Sequence, residues 1–243
     1  MLDELLLLSN NDIPFKEGQV NIHQPTIKEI SLIGEESFHT GCQFLIFSSS
    51  NLADKDKNNL GNKTDFEIFM SIMNSRESVK YKLDTFLVLT LLFPEYDIKF
   101  TPNEILLIKD NLIGRINNMN YDIFKDIIVD MFKLNASVDG EEGYNPADAF
   151  AAKIAEKLNK RKKKLAEKNG EKQKVAIFSR YISILTVGEQ KDMNSLMNLT
   201  VSQLKDEFKR YQLKLQFDIN FECRLAGAQD LEEVEDWMKD INP

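Results

Sequence analysis

The sequence predicts a mainly α protein, a helical bundle with a small β-hairpin or three-stranded meander inserted near residues 97–117. Three observations carry that expectation. Apolar residues recur at three- and four-residue steps along most of the chain, the period of a helix with one buried face. That period breaks over 97–117, where three short strand-like runs follow one another. Helix start signals (Thr64 with Glu67, Asn145 with Pro146, Asp230) precede several of the periodic stretches, and Gly34 and Gly227 fall where others should stop.

The N-terminal run Leu5–Leu8 is apolar but follows Asp3 and Glu4, so it lacks the basic flank of a signal peptide. Pro25 suits a first helical turn, where its missing N–H has no intrahelical partner to lose. Ile27, Ile30 and Ile33 follow at near-helical spacing, and Gly34 ends or kinks that helix. Phe38, Cys42, Leu45 and Ile46 then share a face, and the serines at 48–50 mark its end. Residues 51–63 are polar and read as a loop.

Thr64 and Glu67 have the spacing of a capping box, in which each side chain bonds the other residue's backbone N–H. The helix they open carries Phe66, Phe69, Met70 and Met73 as one stripe. The next helix, in 78–93, is apolar nearly all round and should stop before Pro94, which makes it a core element. Strands are expected at Ile98–Thr101, Glu104–Lys109 and Leu112–Asn117, with Asp110 and Asn111 as turn residues that tolerate left-handed backbone. Helical spacing returns through Ile123, Ile127, Ile128, Met131 and Phe132.

Residues 135–144 are polar and glycine-containing, and are the predicted boundary between an N-terminal helical domain, 1–134, and a C-terminal one, 145–243. The two halves could equally form one continuous bundle. Asn145, Pro146 and Asp148 start a helix whose second half carries Lys157, Lys160, Arg161, Lys162, Lys163, Lys164 and Lys168. A solvated helix end explains such a run, and docking on an acidic partner or RNA is the other reading. Further on, Val175, Phe178, Ile182 and Leu185 line one face. Val201, Leu204, Phe208, Tyr211 and Leu215 make a seam of coiled-coil type. Asp230 caps an acidic terminal helix with Leu231, Val234, Trp237 and Met238 on or beside one face.

The chain has 243 residues, 42% hydrophobic and 29% charged, with a formal net charge of −8. That acidity argues against a general nucleic-acid binder, whose affinity comes largely from neutralising phosphates. Its two cysteines, Cys42 and Cys223, form neither a disulfide framework nor a CxxC metal site. No apolar run approaches a membrane span of roughly 20 residues. There is no P-loop, no GxGxxG and no nucleophile elbow. His23 and His39 are the only histidines, and His39 with Cys42 offers too few ligands for zinc. No catalytic residue, metal or cofactor is expected, and both histidines read as structural or surface groups. The expectation is a non-enzymatic interaction protein whose Met- and Phe-rich faces pack against partners.

Three segments carry a family resemblance: "IHQPTIKEISLIGEESFHTG" (22–41), "SRYISILTVGEQKDMNSLMNLTVSQLKDEFKRYQLK" (179–214) and "LAGAQDLEEVEDWMKDI" (225–241). Through them the chain resembles tailed-bacteriophage proteins of the tail morphogenesis region, specifically tail assembly chaperones. The resemblance implies a protein that acts in the host cytoplasm during phage assembly and is absent from the mature virion. It implies two partners, the tape measure protein and the tail tube protein, with room for self-association. It also raises the reading that "DWMKDINP" ends the shorter of two frameshifted products. Helix-in-groove binding would suit such a role. The candidate partner-binding residues are Phe66, Phe69, Met70, Met73, Val201, Leu204, Phe208, Tyr211, Leu215, Trp237 and Met238. A structural tail or neck connector protein, or a nucleic-acid-binding regulator acting through 157–168, are the competing readings.

Overall fold

A computed structural model describes residues 2–49, 63–75, 79–134, 177–227 and 238. The expected loop at 51–63 (but for Lys63), the boundary at 135–144, the basic helix at 145–168 and all of the acidic terminal helix except Met238 lie outside them.

The fold class differs from expectation. It is a mixed α/β arrangement with two separate antiparallel sheets, not a mainly α bundle with one inserted hairpin. The sheet not expected from the sequence forms from residues 13–22, ahead of the first expected helix. Strands β1 (Ile13–Phe15) and β2 (Val20–Ile22) flank a 3-10 turn at Lys16–Gly18, and Ile13 pairs with Ile22 and Phe15 with Val20. The reason is local. Ile13, Phe15, Val20 and Ile22 alternate with polar or exposed residues, which is the two-residue period of a half-buried strand. Gln19, at φ 59°, takes the left-handed backbone that closes the turn.

Ahead of this hairpin is a short helix, α1 (Glu4–Leu8), capped by Asp3. After it come α2 (Ile27–Ile33) and α3 (Glu35–Leu45), joined at Gly34, whose φ of 87° allows the sharp break between them. Thr26 caps α2 in a full capping box with Glu29. Pro25 therefore sits just before the cap rather than in the first turn. Thr64 and Glu67 form a second capping box, opening α4 (Asp65–Asn74). Helix α5 (Val79–Leu92) lies across α3, where Gly41 allows backbone contact: a Cβ there would meet the Asp84 carbonyl oxygen at 2.5 Å and Val88 Cγ2 at 2.6 Å.

The second sheet is the meander β3 (Asp97–Phe100), β4 (Glu104–Lys109) and β5 (Leu112–Asn117) in that order. Lys109 pairs with Leu112 across a two-residue turn in which Asp110 has φ 51°. The two sheets meet where Gly114 faces Val20, and a side chain on Gly114 would strike Val20 Cγ1. Asn120 fastens them further. Its buried amide donates to the carbonyls of Glu17 and Arg115, and its oxygen accepts from the Asn117 N–H.

Four α elements complete the fold: α6 (Tyr121–Phe132), α7 (Ile177–Gly188), α8 (Met193–Met197) and α9 (Val201–Leu225). Their buried faces join those of the sheets and N-terminal helices in one core. Within it Phe15 packs on Phe124, Phe38 on Phe132 and Phe178, and Phe66 on Tyr121, with ring centroids 4.9–5.9 Å apart. Each such side chain contributes on the order of 1.5–3 kcal/mol by leaving water.

Candidate partner-binding surface

Helix α9 begins inside the protein and ends outside it. Thr200 and Gln203 form its capping box. Val201, Leu204 and Phe208 enter the core, and Phe208 stacks on Tyr181 with centroids 3.8 Å apart. On the same turns, Ser202 Oγ donates to the Met131 carbonyl, and Lys205 Nζ donates to those of Phe132 and Lys133. These are unsatisfied carbonyls at the end of α6, and a cation there also complements the helix dipole. Tyr211 packs over Gly188, and Leu213 is the last buried apolar residue of α9.

Beyond Leu213 the helix runs on to Leu225, twelve further residues or about 18 Å. Apolar side chains continue on it but stay open to solvent: Leu215, Phe217, Ile219, Phe221 and Leu225 are 44%, 39%, 53%, 54% and 73% exposed. They fall on two faces. Phe217, Phe221 and Leu225 form one, with the Phe217 and Phe221 rings parallel and 6.5 Å apart. Leu215 and Ile219 form the other, separated from it by Asp218 and Glu222.

The residues expected to bind partners divide between core and surface. Phe66, Phe69 and Met70 are buried, Met73 packs half-buried against them, and their contacts are internal. Val201, Leu204 and Phe208 are likewise buried, and Tyr211 is half-buried. Leu215 and Met238 are exposed, and Trp237 lies outside the described residues. The surface reading of the seam therefore rests on its last member, Leu215, and on three residues not singled out from the sequence: Phe217, Ile219 and Phe221. Their signal was present as i, i+4 pairs, but the seam's three-and-four alternation stops at Leu215, so they fell outside the pattern.

The polar groups hold the fold together. His23 sits between Asp12 (3.1 Å from Nδ1) and Glu29 (3.3 Å from Nε2). Burial opposes the Glu29 charge, but bonds from Thr26 and the nearby His23 outweigh it and hold its carboxyl below the usual range. His39 lies against the Phe178 ring, 3.5 Å from Glu35, whose carboxylate accepts the Phe178 N–H at the start of α7. Cys42 is fully buried, and burial pushes its thiol well up, which makes it inert as a nucleophile. Among the described residues no group of three or more His, Cys, Asp and Glu could hold a metal ion. A cleft of about 400 Å³ between α4 and the β3–β4 turn has Phe66 and Met70 in its lining and Glu67, Ser71, Asn74 and Asn103 around them, with no histidine or cysteine. No described helix is long and apolar enough to cross a membrane.

The domain family described as YomV second domain matches residues 168–242, the region that contains α7, α8 and α9. That family is phage-derived, and the match points to a phage protein. No curated protein and no solved structure matches the chain.

Proposed function

We propose that the protein is a phage tail assembly chaperone. It binds the tape measure protein and recruits tail tube subunits while the tail is built in the host cytoplasm, and it is left out of the finished virion. The observation that carries this reading is the match to a phage-derived domain over 168–242. The apolar end of α9 supports it, because a holder of long helices needs exposed apolar faces at helical spacing. Leu215 and Ile219 are the residues expected to meet the tape measure helix. The protein works by binding, without a cofactor, a membrane or nucleic acid.

The test is made on phage particles. A phage lacking this chain should fail to make tails, while mass spectrometry of purified wild-type particles should find no copy of it. Many copies per particle would instead establish a tail or neck subunit.

A further inference from the structure

We propose that strand β3 pairs edge to edge, antiparallel, with β3 of a second copy of this chain, about a two-fold axis through Ile98, so that the two meanders join into one continuous sheet. Strand β3 has a neighbouring strand on one side only, β4. The Thr101 N–H donates to the Glu104 carbonyl at 2.9 Å. By the alternation of an antiparallel ladder, Asp97 and Lys99 then also exchange their backbone bonds with β4. The N–H and C=O groups of Ile98 and Phe100, and the Tyr96 carbonyl, point the other way. Among the described residues these outward groups have no partner. An unpaired row of this kind is a template for another strand.

The side chains select the partner and the register. A two-fold contact requires an edge complementary to itself. With the axis at Ile98, the two Ile98 residues exchange backbone bonds, and each Phe100 N–H donates to the Tyr96 carbonyl of the other copy. Backbone bonds could form equally well about Lys99, so the backbone does not choose. The outer face does. Centring on Lys99 sets Lys99 against itself, and centring on Asp97 sets Asp97 against itself. Centring on Ile98 sets Asp97 of each copy opposite Lys99 of the other. Both side chains are exposed, and among the described residues neither has a hydrogen bond or ion pair. Opposite charges facing across strands favour pairing, and like charges oppose it. On the inner face, Tyr96, Ile98 and Phe100 are only half-buried at the rim of the core, whereas Ile105 and Leu107 of β4 are fully buried. The same register sets Ile98 beside Ile98 and Phe100 beside Tyr96, cross-strand pairs that cover what a single copy leaves open. Main-chain bonds supply the affinity of such a contact. The strand is short, so the dimer should be weak and concentration-dependent.

Sedimentation equilibrium of the full chain, from about 1 to about 200 µM, tests this, since weak interfaces fall in that range. The expected result is a rise in mass toward two copies. Asp97→Lys or Lys99→Asp alone sets like charges opposite each other at both pairs, and each should weaken the dimer at least about tenfold. The exchange Asp97→Lys/Lys99→Asp restores opposite charges and should restore the dimer. Thermal unfolding should change little in all three, because both positions are exposed. In a Cys223→Ala background, Asp97→Cys mixed with Lys99→Cys should cross-link faster than either alone. A monomeric wild type, a dimer indifferent to the single reversals, an exchange variant that stays as weak as they are, or preferred self-linking of Lys99→Cys would each overturn the proposal.

Discussion

Thr26 and Thr200, from opposite ends of the chain, face each other in an isolated antiparallel bridge, and each is the N-cap of its own helix. The Ile27 N–H also donates to the Leu199 carbonyl at 2.9 Å. Two helix starts are thus tied together by backbone, and each cap side chain serves its own helix. The Gln203 amide adds a link to the Leu8 carbonyl at the end of α1. Thr200→Ala should therefore lower unfolding free energy by about 1–2 kcal/mol, the upper part of the range for a lost cap. Thr26→Ala combined with Thr200→Ala should depart from additivity, because the two positions touch. Chemical denaturation of the single and double variants checks both statements.

Gly41 is where α3 and α5 come closest. A methyl group there runs into the backbone of Asp84 and has no flexible neighbour to displace on that side. Gly41→Ala should cost about 1–3 kcal/mol, the usual cost of overpacking, although alanine is the better helix former. A stabilised Gly41→Ala protein in a thermal melt would show that the two helices can separate freely.

Tyr121 carries its hydroxyl into the core, where it donates to the Leu45 carbonyl at 2.9 Å. Burial pushes its pKa well up, so it remains a donor across the ordinary pH range. Tyr121→Phe keeps the ring and orphans the carbonyl at the end of α3, for an expected loss of about 1–3 kcal/mol. Tyr121→Ala also opens a cavity and should cost about 3–5 kcal/mol.

Asp65 gives the fold a pH dependence. Burial alone would raise its pKa, but bonds from Lys125 Nζ at 2.6 Å and from Ser49 Oγ and N–H hold the carboxyl far below the usual range. A carboxylate with a depressed folded-state pKa adds stability that is complete above its unfolded value of about 3.9. That stability is lost as pH falls toward the folded value. Asp65→Asn should be less stable than wild type at pH 7, and the difference should shrink steadily below about pH 4. Denaturation curves at pH 7, 4 and 3 read this directly, and a constant difference would contradict it.

Some of this was legible in the sequence because it is written locally. The Thr64–Glu67 box and the strand limits at 104–109 and 112–117 follow from a few neighbouring residues and appear as expected. The β1–β2 hairpin leaves little signal, since its strands are three residues each and the stronger helix signals at Pro25 and Ile27 follow directly. The fold class was misjudged for that reason. The destination of the Phe66–Met73 stripe was also out of reach. Periodicity says which side chains share a face, and only the assembled core decides whether this chain or a partner covers it. At α9 one helix does both, buried as far as Leu213 and open beyond it.

The measurement closest to the central claim is co-expression of this chain with a tape measure protein of a tailed phage that carries it, followed by affinity capture and native mass spectrometry. The expected result is a tape measure protein that becomes soluble and leaves the column carrying several copies of this chain, with capture lost in Leu215→Asp/Ile219→Asp. A tape measure protein that stays insoluble and uncaptured beside a folded, abundant partner would contradict it.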